Sequence, residues 1–317
     1  MVAEVLEHLE PSRGGVFLDC TVGLGGHARA ILDAGATKVI GIDRDRDALD
    51  DARTRLQPYG DRIEFVHSDY RRIGDVLDAR GVAAVDGVVA DLGVSSMQLD
   101  APGRGFSFRR DEPLDMRMDR SSGPTAADLI GDADERTLSD VVHEYGEERH
   151  ARRVARALVE ARRAGRIETT GRLADIVRRA IPRKGYTRID SATRTFQAIR
   201  IWVNRELEDL DGFLRRAAGR LAPGGRLVAI TFHSLEDRIV KHTLRSLQSD
   251  GAIVIRTKRP VVPSEAEVDR NPRARSAKLR SASRPQGPGP RPQFEMSVSD
   301  PGPEARGLGP DRLAVRS

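Results

Sequence analysis

The chain has 317 residues, 38% hydrophobic and 32% charged, which is enough to bury the core of about two domains. Its net charge is only +5, and no run of about 18 apolar residues occurs, which excludes a membrane-spanning helix. The single cysteine, Cys20, excludes an internal disulfide and a cysteine-rich zinc site. Residues 1–10 are acidic and unlike a secretion signal, so we expect a cytoplasmic protein without a membrane partner.

Strands and helical segments alternate over the first 93 residues. Short apolar runs predict strands at residues 16–20, 38–43, 62–69 and 85–92, with helical stretches such as 45–56 between them. Strands that alternate with helices are typical of βαβ units. This part of the sequence therefore predicts a parallel sheet.

A long loop and then a helical region are predicted after the fourth strand. Residues 93–124 are rich in Gly, Ser, Asp and Arg, and loops of this length are usually functional or disordered. From Thr125 to about Leu221 the period is helical. One apolar stripe predicts a single helix that residues 222–225 would end, and its members are Phe196, Ile199, Val203, Leu207, Leu210, Leu214 and Ala217.

Strand patterns return towards the C-terminus, with a strand at 226–232, a helix at 235–247 and a strand at 252–257. We therefore expect an α/β domain, in two parts at 1–95 and 210–283, split by a mainly helical substrate-recognition insertion at 96–209. Residues 284–317 hold seven Pro and five Gly, a composition that cannot bury a core. They are predicted to form a disordered tail.

The turn after the first strand, residues 19–27, reads DCTVGLGGH. Glycines allow positive φ and let a ligand approach the backbone, and a helix beginning near Gly26 would point free N–H groups at that ligand. The second strand ends at Asp43, 18 residues after Gly25, where an acid can accept both hydroxyls of an adenosine ribose. The spacing predicts a nucleotide-like cofactor.

Two cofactors fit such a turn. A dinucleotide remains open, because Ala28 satisfies the looser form of the glycine fingerprint. However, Asp19 would repel a pyrophosphate, whereas it would attract the cationic sulfonium and ammonium groups of S-adenosylmethionine. The residues favour the methyl donor, and a glycine-rich turn that binds no ligand is the purely structural alternative.

A second polar loop, residues 91–100, follows the fourth strand and reads DLGVSSMQLD. Ligands of open α/β sheets sit beyond the carboxyl ends of the strands, so Asp91 is predicted to lie beside the cofactor, where the methyl acceptor must also arrive. Asp and Ser after a strand also commonly cap a turn, which is the competing interpretation.

Eight stretches in chain order resemble one bacterial family, the 16S rRNA cytosine-N4 methyltransferases. They are 23–27, 91–100, 104–108, 113–119, 145–149, 193–197, 232–238 and 271–276, and the resemblance covers residues 2–283. It implies a Rossmann-like class I methyltransferase sheet with a helical insertion between strands 4 and 5. It also implies S-adenosylmethionine as cofactor, and methylation of N4 of cytosine 1402 in the decoding region.

The resemblance also implies a set of cofactor-binding residues, with Tyr70 against the adenine. They are Gly25, Gly26, His27, Asp43, Tyr70, Asp91 and Gln98. The sequence departs from the family before Val2, where a His-x-Pro-Val stretch is usual, so we expect a start codon further upstream, the alternative being that this homologue has lost part of the wall of its active site. Asp190-Ser191 replaces His-Pro, and residues 92–94 replace the Pro-Pro-aromatic motif of many amino-group methyltransferases, so the chemistry of those enzymes does not transfer directly.

Asp91 and His233 are the candidate catalytic residues. A cytosine amino nitrogen is a poor nucleophile, and a hydrogen-bond acceptor on its N–H stabilises the charge that develops. Asp91 is the candidate acceptor, with a backbone carbonyl of residues 92–94 as an alternative. His233 could instead accept the proton, although a structural histidine after a strand is the bland interpretation.

Two basic clusters predict contact with 16S rRNA in the small ribosomal subunit. The first is a predicted helix with Arg149, Arg152, Arg153, Arg156, Arg163 and Arg166, and the second, residues 256–284, has nine Lys or Arg against three acids. A solvated helix face is the alternative for the first cluster, and Arg194 and Arg200 could pair with acids of their own domain.

A homodimer is compatible with the sequence, which does not decide the oligomeric state. Methylation of DNA or another RNA, and a non-enzymatic assembly factor, are the competing functions.

Overall fold

The computed structural model describes residues 1–181 and 190–287. The chain forms two compact units, one of Met1–Gly93 with the described residues from Leu207 onwards, the other of Val94–Glu206. Most of the tail predicted at 284–317 lies outside the described residues. No helix within the described ranges has the length and apolar character that crossing a bilayer requires.

Strands and helices alternate up to Gly93. They are α1 (Val2–Leu9), β1 (Val16–Asp19), α2 (Gly26–Asp33), β2 (Lys38–Asp43), α3 (Arg46–Leu56), β3 (Ile63–His67), α4 (Ile73–Asp78) and β4 (Val85–Asp91). Each predicted strand is present, with its ends displaced by at most two residues. The start of α3 has a clear local cause, because the Asp45 side chain accepts hydrogen bonds from the N–H groups of Asp47 and Ala48.

The unit Val94–Glu206 is mainly helical and has its own apolar core. Its helices are α5 (Ser96–Asp100), α6 (Ala126–Asp132), α7 (Glu135–Glu144), α8 (Ala151–Arg163), α9 (Thr170–Ala180) and α10 (Ala192–Asn204). The predicted loop at 93–124 contains α5 and is fixed from within the unit. The buried Asn204 amide donates to the Met116 carbonyl at 2.7 Å, and its oxygen accepts from Met118 N–H at 2.7 Å.

The remaining elements complete the sheet. They are α11 (Leu210–Gly219), β5 (Leu221–Thr231), α12 (Ser234–Ser249), β6 (Val254–Ile255), α13 (Glu265–Arg270) and β7 (Lys278–Ser283). Within the described residues the sheet has seven strands in the order β3-β2-β1-β4-β5-β7-β6. Strands β1 to β5 pair in parallel, and β7 lies antiparallel between β5 and β6.

The prediction of a single helix from the stripe Phe196–Ala217 is wrong. This segment forms two helices, α10 and α11, and Arg205 and Asp209 between them both have positive φ (51° and 53°). The stripe continues across the break because its two halves belong to different cores. Phe196 lies in the core of Val94–Glu206, whereas Leu210 and Leu214 lie in the core that covers one face of the sheet.

Three further expectations near the C-terminus need correction. Residues 222–225 do not end a helix, since α11 ends at Gly219 and these residues lie inside β5. The strand expected at 252–257 is only Val254–Ile255. Strand β7 was not predicted at all, because its sequence KLRSAS carries no apolar alternation, although five of its six residues are buried.

Candidate active site

Three acids stand at the carboxyl ends of three adjacent parallel strands. Strand β1 pairs with β2 on one side and with β4 on the other, so Asp19, Asp43 and Asp91 end neighbouring strands. Their charges interact, because the carboxylates of Asp91 and Asp43 both contribute to a raised pKa of Asp19, after the larger effect of its burial. The sheet topology thus produces a concentrated negative charge at one edge.

The glycine turn between β1 and α2 is held by Asp43. One oxygen of this carboxylate accepts from Gly23 N–H at 2.8 Å, and the other accepts from Asp45 N–H at 2.8 Å. Each oxygen keeps lone-pair capacity for a further donor. Asp43 therefore fixes the turn, and it could still accept hydroxyl groups of a ligand.

The N-terminus of α2 is open to a ligand. Gly25 has φ 82°, and a Cβ atom there would lie 2.6 Å from Cδ1 of Leu56, so glycine is required at this position. At Gly26 a Cβ atom would have no neighbour within 4 Å, which marks free space in front of the first turn of the helix. The helix has no side-chain cap, so its first N–H groups remain available to a ligand.

Asp19 is almost fully buried, with 1% of its surface exposed. One carboxylate oxygen accepts from Thr21 N–H at 3.2 Å, while the buried Oδ2 has no hydrogen-bond partner within the described residues. Burial raises the pKa of Asp19 to about 6, although the charge of His27 and the Thr21 N–H oppose the increase. A buried, unpaired carboxylate is costly, and a cationic ligand would compensate it.

His27 and Asp91 form a pair beside Asp19. His27 Nε2 lies 3.3 Å from Asp91 Oδ2, and Asp91 N–H donates to the Thr21 hydroxyl oxygen at 2.7 Å. Burial alone would lower the pKa of His27, but the hydrogen bond to Asp91 and the charges of Asp91 and Asp19 outweigh it and raise that pKa. The sequence interpretation named His27 and Asp91 separately and missed Thr21, whose place within the glycine turn was the available indication.

Tyr70 follows β3 and is largely buried. Its ring lies 4.6 Å from the ring of Phe213, and the Arg44 guanidinium lies 5.8 Å from its centroid. Asp69, which the sequence interpretation passed over, caps the turn that carries Tyr70 and pairs with Arg71 at 2.7 Å and Arg44 at 3.1 Å. Burial raises the pKa of Asp69, but these two arginines lower it by more.

Gln98 lies in the unit Val94–Glu206 and closes a capping box at the start of α5. Its side-chain oxygen accepts from Ser95 N–H at 2.9 Å, and the Ser95 hydroxyl accepts from Gln98 N–H at 3.2 Å. The side chain is buried. Its cofactor role stays a prediction.

His233 caps helix α12. Its Nδ1 accepts from Glu236 N–H at 3.4 Å, which leaves the proton on Nε2. Nε2 lies 3.1 Å from Glu236 Oε1 but makes no hydrogen bond within the described residues. Glu236 in return accepts from the N–H of Phe232 at 2.9 Å. These contacts are those expected of a structural histidine, and a catalytic role for His233 stays a prediction.

Comparison with known proteins places the chain in a family. The model of the MraW methylase family matches residues 1–285. The chain belongs to this family. The seven-stranded sheet is a Rossmann-like class I methyltransferase sheet, and the resemblance stated from the sequence motifs is confirmed.

Curated relatives share about half of their residues with this chain. Ribosomal RNA small subunit methyltransferase H of Bradyrhizobium diazoefficiens is 50% identical over 299 residues, 90% of each chain. The protein of the same name from Deinococcus radiodurans is 50% identical over 289 residues, covering 91% of this chain and 89% of its own. An rRNA methylase structure from Streptococcus thermophilus has TM-score 0.40 and 12% identity, covering 89% of this chain and 95% of its own.

The chain is therefore an enzyme, a methyltransferase that uses S-adenosylmethionine. Its residues fit this cofactor. The unpartnered Oδ2 of Asp19 suits a cation, and Asp43 keeps acceptor capacity for hydroxyl groups. The free space at Gly26 lets a ligand reach the N–H groups of α2. The predicted cofactor is confirmed.

Proposed function

We propose that this enzyme methylates N4 of cytosine 1402 in 16S rRNA of the small ribosomal subunit. The name of the curated relatives, ribosomal RNA small subunit methyltransferase, supports the substrate class. The motifs that resemble the cytosine-N4 family support the base and the atom. The structural observation that carries the proposal is Asp91, whose Oδ1 is buried at the end of β4 without a partner in the described part of the chain.

Asp91 accounts for the reaction at an amino group. The ring delocalises the lone pair of such a nitrogen, so the enzyme must hold it in line with the methyl–sulfur bond, within about 3–3.5 Å. A carboxylate oxygen that accepts one N–H localises the lone pair and stabilises the positive charge on the nitrogen. The unpartnered Oδ1 has the capacity to do this, and the target base must be unpaired or flipped to reach it.

S-adenosylmethionine supplies the electrophilic methyl group when it is bound. We propose that its polar groups contact the residues that the resemblance named, together with Asp19. They are Gly25, Gly26, His27, Asp43, Tyr70, Asp91 and Gln98. Asp19 and Asp91 would face its cationic groups, and Asp43 its ribose, because these three acids end the strands around the open turn.

We propose that the helical insertion, residues 96–209, recognises the RNA, and exposed arginines of α8 support this role. Val154 and Leu158 are buried on one side of the helix, while Arg152 and Arg153 are exposed. Four arginines make no ion pair with any described residue, namely Arg149, Arg152, Arg153 and Arg163. The other two members of the cluster have structural partners, since Arg156 lies 3.6 Å from Glu135 and Arg166 pairs with Asp128.

Replacing Arg152 by Gln is expected to weaken RNA binding and to reduce its salt dependence. Each phosphate contact contributes about 0.7 to the slope of log affinity against log salt for single strands, so that slope should fall by about this amount. The measurement is a binding titration with a decoding-region RNA fragment at several salt concentrations. Arg55→Gln, an exposed arginine on α3, is the control of equal charge change. An unchanged slope for Arg152→Gln would remove this residue from the RNA surface.

Deleting the gene is expected to abolish N4-methylcytidine at position 1402 of 16S rRNA. Mass spectrometry of rRNA digests from cells with and without the gene measures this directly, and re-expression of the wild-type chain should restore the mark. If the mark persists and another methylated nucleoside disappears from RNA or DNA, the substrate is that other nucleic acid. If no methylated nucleoside disappears, the result supports the alternative that the protein is a non-enzymatic assembly factor.

A further inference from the structure

Four buried polar atoms at the edge of the sheet have no hydrogen-bond partner among the described residues. They are Asp19 Oδ2, His27 Nδ1, Asp91 Oδ1 and, after β5, His233 Nε2. A buried polar atom without a partner is rare and costs about 1–3 kcal/mol, so it marks a place where a ligand completes the site. Cofactor and substrate account for the two carboxylate oxygens. His27 is proposed to contact the cofactor, but no reacting group uses its unpartnered Nδ1.

The contact with Asp91 fixes the protonation of the imidazole ring. When His27 is neutral, its Nε2–H donates to Asp91 Oδ2 across 3.3 Å, and Nδ1 is left as a bare lone pair. An acid that orients a histidine so that its other nitrogen is basic is the arrangement of the catalytic triads. The alternative proton acceptor, His233, also has an unpartnered nitrogen, Nε2, but its Nδ1 accepts the N–H of Glu236, so in the neutral ring Nε2 carries the proton and offers no lone pair.

The charges around His27 also favour its protonation after methyl transfer, when the sulfonium charge has been lost. The groups that act on it are the carboxylates of Asp91 and Asp19, and more weakly the N-terminal amino group of Met1. Before methyl transfer the two carboxylates would face the sulfonium cation of the bound cofactor. After transfer the sulfur is neutral, so the same carboxylates attract a new positive charge, and an imidazolium between them supplies it.

We propose that His27 is the proton acceptor of methyl transfer. The nitrogen–carbon bond forms as the carbon–sulfur bond breaks, and the electron pair of the broken bond stays on sulfur. One N–H of the attacking amino group then breaks, and its proton passes through one bridging water to Nδ1 of His27, because Nδ1 points away from the Asp91 carboxylate that Nε2 contacts. Asp91 Oδ1 holds the other N–H. The net charge of the site is the same before and after the step.

This inference rests on the proposed attack by an amino group, but its first test needs no RNA. The pKa of His27 is measured by NMR in the wild-type enzyme saturated with S-adenosylmethionine and, separately, with S-adenosylhomocysteine, and the resonance is assigned from its loss in His27→Gln. The two ligands differ by the sulfonium charge. The pKa of His27 is expected to be higher with S-adenosylhomocysteine by about one pH unit or more. Equal values in the two complexes would overturn the proposal.

The second test measures single-turnover methylation of small ribosomal subunits from cells that lack the gene, over a range of pH. The wild-type rate is expected to rise with pH as His27 loses its proton. Gln can still donate to Asp91 but cannot accept a proton, so His27→Gln should be slower by about 100-fold at neutral pH and lose this pH dependence. His242→Gln, an exposed histidine of α12, is the control.

The outcomes separate the two proposals. If the pH dependence survives in His27→Gln and disappears in His233→Gln, the acceptor is His233 and this inference is overturned. If the subunits are not methylated at all while the two NMR pKa values differ as expected, the proposed substrate fails and the charge response of His27 stands.

Discussion

Replacing Asp91 by Asn is expected to leave the protein folded and to slow methyl transfer by about 100-fold or more, the size of effect seen when one group that stabilises transition-state charge is removed. The change is isosteric, and the main-chain hydrogen bond from Asp91 N–H to the Thr21 hydroxyl does not depend on the carboxylate. What disappears is the negative charge that would accept the amino N–H and hold His27.

The measurement for Asp91→Asn is single-turnover methylation at a saturating cofactor concentration, with cofactor affinity measured separately by calorimetry. Asp51→Asn, an exposed carboxylate of α3, has the same charge change and should behave as the wild type. A rate for Asp91→Asn within a few-fold of the control would transfer the hydrogen-bond role to a backbone carbonyl of residues 92–94.

Replacing Asp19 by Asn is expected to make the cofactor-free protein more stable at neutral pH and, at the same time, a poorer binder of S-adenosylmethionine. The pKa of Asp19 is raised to about 6 in the folded chain, so the folded state holds this proton more tightly than the unfolded state. The stabilisation from the protonated carboxyl is complete below the ordinary pKa of about 3.8 and is lost as the pH rises through about 6.

Because Asn carries no charge, the variant should avoid this loss. The gain in the free energy of unfolding is expected to reach about 3 kcal/mol at pH 7.5 and to fall below about 1 kcal/mol at pH 4. Denaturant titrations of the cofactor-free protein at both pH values measure it. Calorimetry should show that the Kd of S-adenosylmethionine rises by about 10- to 100-fold, because a buried charge that faces a cation is removed.

The two effects of Asp19→Asn have opposite signs, which separates a binding role from a structural one. A purely structural Asp19 would give a variant that is less stable at pH 7.5 as well as a weaker binder. Unchanged affinity with increased stability would mean that the cationic groups of the cofactor lie elsewhere.

The positions of the three acids could be predicted from the sequence because they follow from local patterns. Apolar runs of strand length set β1, β2 and β4, and the carboxyl ends of neighbouring parallel strands necessarily meet at one edge. The glycines of 23–26 permit the turn that Asp19 and Asp43 border. These patterns are short-range, so they could be recognised without knowledge of the distant contacts.

The boundary between α10 and α11 could not be predicted, because Arg205 and Asp209 adopt positive φ although neither is a glycine, the residue type that usually indicates such a conformation. The apolar spacing continues through the break because Phe196 of α10 packs in the core of Val94–Glu206, whereas Leu210 and Leu214 of α11 pack in the core that covers the sheet. Strand β7 was hidden for a related reason. Its residues Arg280 and Ser281 are buried by pairing with β5, by the hydrogen bond of Ser281 N–H to the Thr257 hydroxyl and by the ion pair of Arg280 with Asp237, not by their own hydrophobicity.

By itself, the sequence determined the family, the α/β order of the chain and the acids that edge the site, since each depends on motifs or periodicity that are complete within a short segment. Only the tertiary structure decided the partners of the titratable groups. It joined His27 to Asp91, left Nδ1 of His27 free and committed Nδ1 of His233 to a helix cap. The sequence had offered His233 as the histidine that could accept a proton and His27 only as a cofactor contact, and the physical difference between them lies in which nitrogen the fold has already occupied.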